Sequence, residues 1–262
     1  MNVGRQPRDS DRAPSAGFTL VELLLALAVA SVLILGLVQI VAAASAAGTL
    51  QRNDAQIQEH ARFAVAILSR AVRQAGYRPE PWNEALTTTA LLTESGDGVS
   101  ASSDRLAVRE WSELNCFDHR NPDVDSAGEP RFYIRESVFD LNGDSSLTRV
   151  CRYGPSPAEL TTQIRRQGVV TDVESFQALY GEDADLDGNI ERWVAAGQWS
   201  DPQRVLGIRM GLLLASENAV ADQRTTPPAE PVRVLDATVM PPADGKLRRV
   251  VEFAVALRGR TR

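Results

Sequence analysis

The chain has 262 residues, enough for one sizeable core or for a head plus an extended element. Apolar residues make up 44% and charged residues 24%, ordinary for a globular protein, so a disordered or collagen-like chain is excluded. The net charge of −6 argues against a broad basic footprint on nucleic acid, and no sequence-specific nucleic-acid binding is expected. A local basic group at Arg165, Arg166, Arg248 and Arg249 is the one exception worth locating.

Residues 1–17 hold Arg5, Arg8 and Arg12 against Asp9 and Asp11, a net +1, so the remainder carries −7. From Leu23 to Ala47 the only polar residues are Ser31, Gln39 and Ser45, and none is charged. Such a run can span a hydrocarbon core of about 30 Å. A cleaved secretory signal does not fit, because its apolar region would hold 7–15 residues and no early carboxylate. A plain membrane anchor, oriented by the three arginines, leaves Glu22 unexplained. A carboxylate one turn inside an apolar helix costs roughly 2–3 kcal/mol or more without a partner. Cleavage between Gly17 and Phe18 supplies one: it frees an α-amine at Phe18, and Glu22 is its i+4 neighbour. The amine of one subunit and the carboxylate of the next then neutralise each other in an apolar filament core, which makes Glu22 a registry device.

The string Gly17-Phe18-Thr19-Leu20-Val21-Glu22, with the apolar run behind it, resembles the type IV prepilin family. The resemblance implies that a prepilin peptidase cuts after Gly17 and methylates Phe18. Ala16 stands where many family leaders have Lys or Arg.

No proline occurs between Pro14 and Pro79, so Phe18 to about Ala75 reads as one helix, roughly 85 Å long. Gly36 and Gly48 are either weak points in it or simply tolerated. Past Gly48, the residues Ile57, Ala61, Ala64, Leu68, Ala71 and Ala75 recur at spacings of three and four, an amphipathic stripe facing a core. Gly76 and Pro79 form the stop.

Six runs then read as strands: Arg105–Trp111, Arg131–Phe139, Leu147–Tyr153, Val169–Tyr180, Val205–Ala215 and Arg248–Leu257. Pro79–Ser103 and Glu217–Lys246 read as mobile loops, the second because of Pro227, Pro228, Pro231, Pro241 and Pro242. The expected class is α+β. The family resemblance implies a pilin-like fold: a long amino-terminal helix, transmembrane in its first half, packed on a mostly antiparallel sheet. The expected divisions are a leader at 1–17, a long helix at 18–76 (filament or membrane at 18–47, docked at 48–76) and a β-rich head at 77–262.

Cys116 and Cys151 lie beyond the apolar run, outside the cytoplasm if that run is an anchor, and a disulfide between them is expected. It would close a loop of about 35 residues, worth roughly 3–4 kcal/mol in the chain-entropy model. Two buried free thiols are the alternative.

Asp183, Asp185, Asp187 and Glu191 occupy positions 1, 3, 5 and 9 of an EF-hand-like loop, with Gly188 at 6 and Ile190 at 8. Alternating carboxylates curl around a hard cation such as Ca2+, but Val194 stands at position 12 in place of the bidentate Glu. A poorer copy uses Asp140, Asn142 and Asp144. A polar Asp/Asn/Gly turn is the alternative reading of both, and the one the second favours more strongly. No cofactor is required by any residue pattern; calcium is the candidate ligand.

The sequence holds no phosphate-binding Gly-Lys-Ser/Thr loop, no nucleophile elbow, and only His60 and His119 as histidines, so no enzyme is expected. Trp82, Trp111, Trp193 and Trp199 read as packing residues or as adhesive anchors. Ala61-Arg62-Phe63-Ala64, Leu68-Ser69-Arg70, Arg73-Gln74-Ala75-Gly76-Tyr77, Asp104-Arg105-Leu106-Ala107-Val108, Leu179-Tyr180-Gly181-Glu182-Asp183 and the run from Val250 to Arg258 are similar to the PilW branch of minor pilins. That resemblance implies a low-abundance subunit that helps to start a type IV pilus, in a tip complex. Its partners would be other minor pilins, the major pilin, the prepilin peptidase, the inner-membrane assembly machinery and, before assembly, membrane lipid. It also implies a single-pass inner-membrane protein, amino end cytoplasmic and head periplasmic, that then enters a pilus or pseudopilus. The rivals are a J-type minor pseudopilin of type II secretion and a calcium-dependent tip adhesin or DNA-uptake factor.

Overall fold

The computed structural model describes residues 17, 19–83, 86, 88–98, 103–220 and 229–257. The chain divides into two units, Met1–Thr49 and Leu50–Arg262. Helix α1, Leu20–Gln74, contributes to both and stays helical through Gly36 and Gly48.

In the first unit α1 is apolar on every side. Residues 20–47 are exposed around its circumference, Leu25 and Leu33 each at 68%. Its most apolar 18-residue window has a mean hydropathy of 2.7, long and apolar enough to cross a membrane. Its hydroxyls do not oppose this. Ser31 Oγ donates to the Ala28 carbonyl and Ser45 Oγ to the Val41 carbonyl, both at 2.8 Å, so neither needs water.

In the second unit α1 is two-sided. Ile57, Ala64, Leu68, Val72 and Ala75 are fully buried, with Ala61 and Ala71 at the margin of the same stripe. Each buried Ile, Leu or Val contributes roughly 1.5–3 kcal/mol relative to exposure. The helix stops as its sequence directs: Gly76 N turns away to donate to the Arg109 carbonyl at 2.8 Å.

Two four-stranded antiparallel sheets follow. The first contains β1 (Leu106–Ser112), β2 (Tyr133–Leu141), β3 (Leu147–Gly154) and β4 (Thr161–Val170), in chain order. The second contains β5 (Val173–Glu182), β6 (Arg192–Val194), β7 (Val205–Ala219) and β10 (Lys246–Ala256), in the order β10-β7-β5-β6. A small hairpin pairs β8 (Val232–Val234) with β9 (Ala237–Val239). The main core joins the α1 stripe to Leu106, Val108, Phe139 and Leu147 of the first sheet and to Phe176, Tyr180, Met210, Leu212 and Leu214 of the second.

Three sequence expectations are corrected. Val169–Tyr180 is two strands in different sheets, broken at Asp172, whose φ is +58°. Strand β4 was not foreseen, because Arg165, Arg166, Gln167 and Gly168 are all exposed; charge on an edge strand discourages pairing with other chains. The stretch Glu217–Lys246 carries the end of β7 and the β8–β9 hairpin; 221–228, with Pro227 and Pro228, lie outside the described residues. In the other expected loop, Leu91 bridges to Val108 and Gly96 to Arg105, while 84–85, 87 and 99–102 lie outside the description.

Candidate assembly and cation sites

At the amino terminus, Gly17 is exposed and Phe18 lies outside the described residues. Thr19 and Glu22 form a reciprocal cap. Glu22 N donates to Thr19 Oγ1 at 3.3 Å, and Thr19 N donates back to Glu22 Oε2 at 3.1 Å. This is a capping box, in which two orphan amides of the first turn are satisfied by side chains. Sequence reasoning assigned Glu22 only to a neighbouring subunit and missed the Thr-x-x-Glu spacing that signals the cap. The carboxylate also lies at the amino-terminal, positive end of the helix dipole.

The acidic loop connects β5 to β6. Each of Asp183, Asp185, Asp187 and Glu191 offers a carboxylate oxygen, and these oxygens all lie within 4.8 Å of one another. Asp183 is buried and its oxygens accept from Asp187 N and Gly188 N, both at 3.1 Å. Glu191 reaches back to accept from Ala184 N at 2.6 Å. Hydrogen bonds from Asn189 hold the Asp187 carboxyl below its ordinary range. Gly188 has φ +94°, a conformation that side-chain-bearing residues rarely adopt, as position 6 of such a loop demands. Ile190 is partly exposed, yet its tip fits against Gly181, where an added Cβ would come within 2.7 Å of it. Val194 lies in β6 and supplies no oxygen from its side chain.

Residues that the sequence did not mark hold this loop shut. Buried Glu182 takes the Arg192 guanidinium on one oxygen and the Ser200 hydroxyl and amide on the other. Burial opposes that charge, but the bonds from Ser200 and Arg192 outweigh it and hold the carboxyl below its usual value. Arg204 Nη1 donates to the Ala184 carbonyl at 2.7 Å.

The second acidic set is differently used. Asp140 is buried in β2 and pairs with both Arg105 (3.1 Å) and Arg166 (2.5 Å). Burial works against its ionisation, yet the bonds from Arg166 and Thr148 prevail and lower its pKa. Two guanidinium groups on one carboxylate repel a cation. Asn142 Oδ1 accepts from Asp144 N and Ser146 N, so these residues build the β2–β3 turn. Of the basic group, Arg166, Arg248 and Arg249 are paired with Asp140, Glu174 and Asp54, which leaves no block of free positive charge among them.

Cys116 and Cys151 are joined, with S–S 2.04 Å and Cα–Cα 5.9 Å. The bond ties the β1–β2 connection to β3. Trp111 is buried and donates to the Leu86 carbonyl, Trp199 stacks edge-on to Tyr180 at 4.8 Å, and Trp193 lies under Arg209 at 4.6 Å. Trp82 is 80% exposed.

Residues 131–259 match the family model described as type IV pilus-assembly protein W, and residues 12–38 match the prokaryotic N-terminal methylation motif. The chain is a PilW-like type IV pilin. Its fold is similar to that of a type IV-like pilin from Thermus thermophilus, with a TM-score of 0.50 and 18% identity over 78% of this chain and 97% of that one. No curated protein is similar enough to count as a match. The pilin fold is thus a long apolar helix and antiparallel sheets, and the methylation motif with the apolar helix fits a membrane-anchored pilin. Pilins are structural proteins rather than enzymes, they interact with other pilins, and they are processed by a prepilin peptidase.

Proposed function

We propose that this pilin is a minor subunit that starts the assembly of a type IV pilus, in a tip complex with other minor pilins. Residues 1–17 are its leader, cut after Gly17 with methylation of Phe18. Residues 18–47 cross the inner membrane before assembly and line the filament core after it. Residues 48–76 dock on the head, residues 77–262, which faces the periplasm. Glu22 pairs with the Phe18 amine of a neighbouring subunit. The observation that carries this reading is the apolar helix surface, exposed on all sides from residue 23 to 47, with one carboxylate at its head. So large an apolar surface must be covered by lipid or by other subunits. The experiment is an intact-mass measurement on pilin from membranes and from sheared filaments, with deletion of the gene. The expected mature mass begins at Phe18 with one added methyl, and deletion removes pili. A J-type pseudopilin would instead leave pili intact and block export of folded proteins; an uncut chain would overturn both.

A second reading concerns the loop at Asp183–Glu191. We propose that it binds Ca2+ weakly, through Asp183, Asp185, Asp187 and Glu191. The convergence of four carboxylates within 4.8 Å favours this, since unshielded they repel one another. With no side-chain oxygen at Val194, affinity in the range of extracellular modules, about 10⁻⁴–10⁻³ M, is expected. Calorimetric titration of the full-length pilin in detergent should give heat at millimolar calcium and a raised Tm, both absent in Asp185→Asn. No heat and no Tm change in the parent protein would end this reading. A calcium-dependent adhesive tip would further require attachment to fail on chelation while pili persist.

A further inference from the structure

A cavity of about 300 Å³ lies between α1 and the helix-facing side of β1, β2 and β3, within the second unit. It is at the lower end of ligand-pocket size, suited to one side chain or a small organic acid. Part of its lining is apolar: Phe63, Ile67 and Ala71 from the helix, and Phe139 from β2. The rest is charged, with Arg70 from the helix and the other charges from the sheet side, and these charges do not cancel. Three guanidinium groups, Arg70, Arg135 and Arg149, meet two carboxylates, Glu110 and Asp118. Arg135 uses both acids, at 2.7 Å from Glu110 and 3.2 Å from Asp118, and Arg70 shares Asp118 at 3.5 Å. Arg149 gets none. Its hydrogen bonds go to neutral acceptors, Ser137 Oγ at 3.1 and 3.3 Å and Cys151 Sγ at 3.5 Å, and among the described residues no carboxylate pairs with it. Burial, and then the neighbouring charge of Arg135, press its pKa downward, and the charges of Asp118 and Glu110, beyond ion-pair distance, offset this only in part. A half-buried guanidinium with no carboxylate in direct contact is unusual, because charged groups out of water are normally paired.

We propose that this cavity binds a carboxylate carried on a compact apolar body, with the anion on Arg149 and the body against Phe63, Ile67 and Phe139. An anion completes the charge balance of the lining, and the guanidinium fork suits a carboxylate. The same chemistry can come from a free organic acid or from an acidic side chain of a neighbouring pilin. Only the second source rests on the filament role proposed above.

The test titrates full-length pilin in detergent with phenylacetate, against uncharged phenylacetamide, following amide and methyl NMR shifts. Phenylacetate is expected to saturate by roughly 10 mM, as its size allows, and to shift α1 and β2 signals, while phenylacetamide binds at least about tenfold more weakly. Arg149→Gln keeps a donor for Ser137 and should lose at least about tenfold in phenylacetate affinity; Arg149→Lys, which keeps the charge, should regain part of it. Equal binding of the two probes, no binding by the parent protein, or unchanged binding by a folded Arg149→Gln protein would overturn the proposal. A separate arm assigns the source. Arg149→Gln pilin that binds no phenylacetate but enters filaments normally points to a free acid, and reduced entry points to a neighbouring subunit.

Discussion

Glu22→Gln is expected to be cut after Gly17 and methylated like the parent protein, yet to be incorporated into filaments at least a hundredfold less. The substitution separates two roles that Glu22→Ala would confuse. Gln at the third helical position still completes a capping box, so Thr19 keeps its partner and the first turn keeps its shape. What Gln lacks is the charge. The neighbour's Phe18 amine would then enter an apolar filament core unpaired, and breaking one side of a buried ion pair costs about 3–5 kcal/mol. At 1.4 kcal/mol per factor of ten, that is two to three orders of magnitude. Thr19→Ala provides the contrast. It removes the cap and leaves the charge, so the loss should stay near 1 kcal/mol, less than tenfold. Quantitative immunoblotting of sheared pili against membrane pools measures both. If Glu22→Gln pilin enters filaments at the parental level, the carboxylate is only a helix cap.

Replacing Cys116 and Cys151 together by Ala should lower the Tm of the second unit by about 10 °C. The bond closes a loop of 35 residues, for which chain entropy gives about 3–4 kcal/mol. For a unit of this size each kcal/mol moves Tm by roughly 2–4 °C. The effect should not be diffuse. Cys151 is fully buried, Cys116 packs with it beside Ile164, and Cys116 N is further held by Gln163 Oε1 at 3.0 Å. The same connection carries Asn115 and Asp118, both bonded to Arg135. Its release should therefore expose the charged lining of the helix–sheet cavity, seen as faster amide exchange in residues 113–121 and along β2 before global unfolding. Calorimetry of the double variant, and of the parent protein under reductant, checks this; a Tm change below about 2 °C in both would show that the connection is held by its hydrogen bonds alone.

Much of this architecture is legible in local pattern, and the misses share a cause. The stripe Ile57, Ala64, Leu68, Ala75 is visible because a helix face repeats within a few residues, whatever lies opposite. Strand β4 is not, because an exposed polar edge has the composition of a loop. Hairpin β8–β9 was hidden by the prolines around it, none of which falls within Val232–Val234 or Ala237–Val239. The capping box at Thr19 and Glu22 was readable but was passed over for an intermolecular role. The acidic loop at Asp183 announced itself through carboxylate spacing. The set at Asp140 has similar spacing, and only its ion pairs with Arg105 and Arg166 reveal a different use.

By itself the sequence supplied the expectation of a junction at Gly17 and Phe18, and it determined the uncharged run from Leu23 to Ala47, the extent and stop of the helix, and most strand positions. These depend on residues within one or two turns, or within one strand, of each other. Tertiary structure alone decided which strands pair and which charges are buried. Glu110 and Arg135 sit 25 residues apart and face each other only because β1 and β2 pair in that register. On a strand, a charged residue alternates with apolar ones in the same way whether it meets water or a counter-charge, so its partner is set by packing across the whole chain and not by its neighbours in sequence.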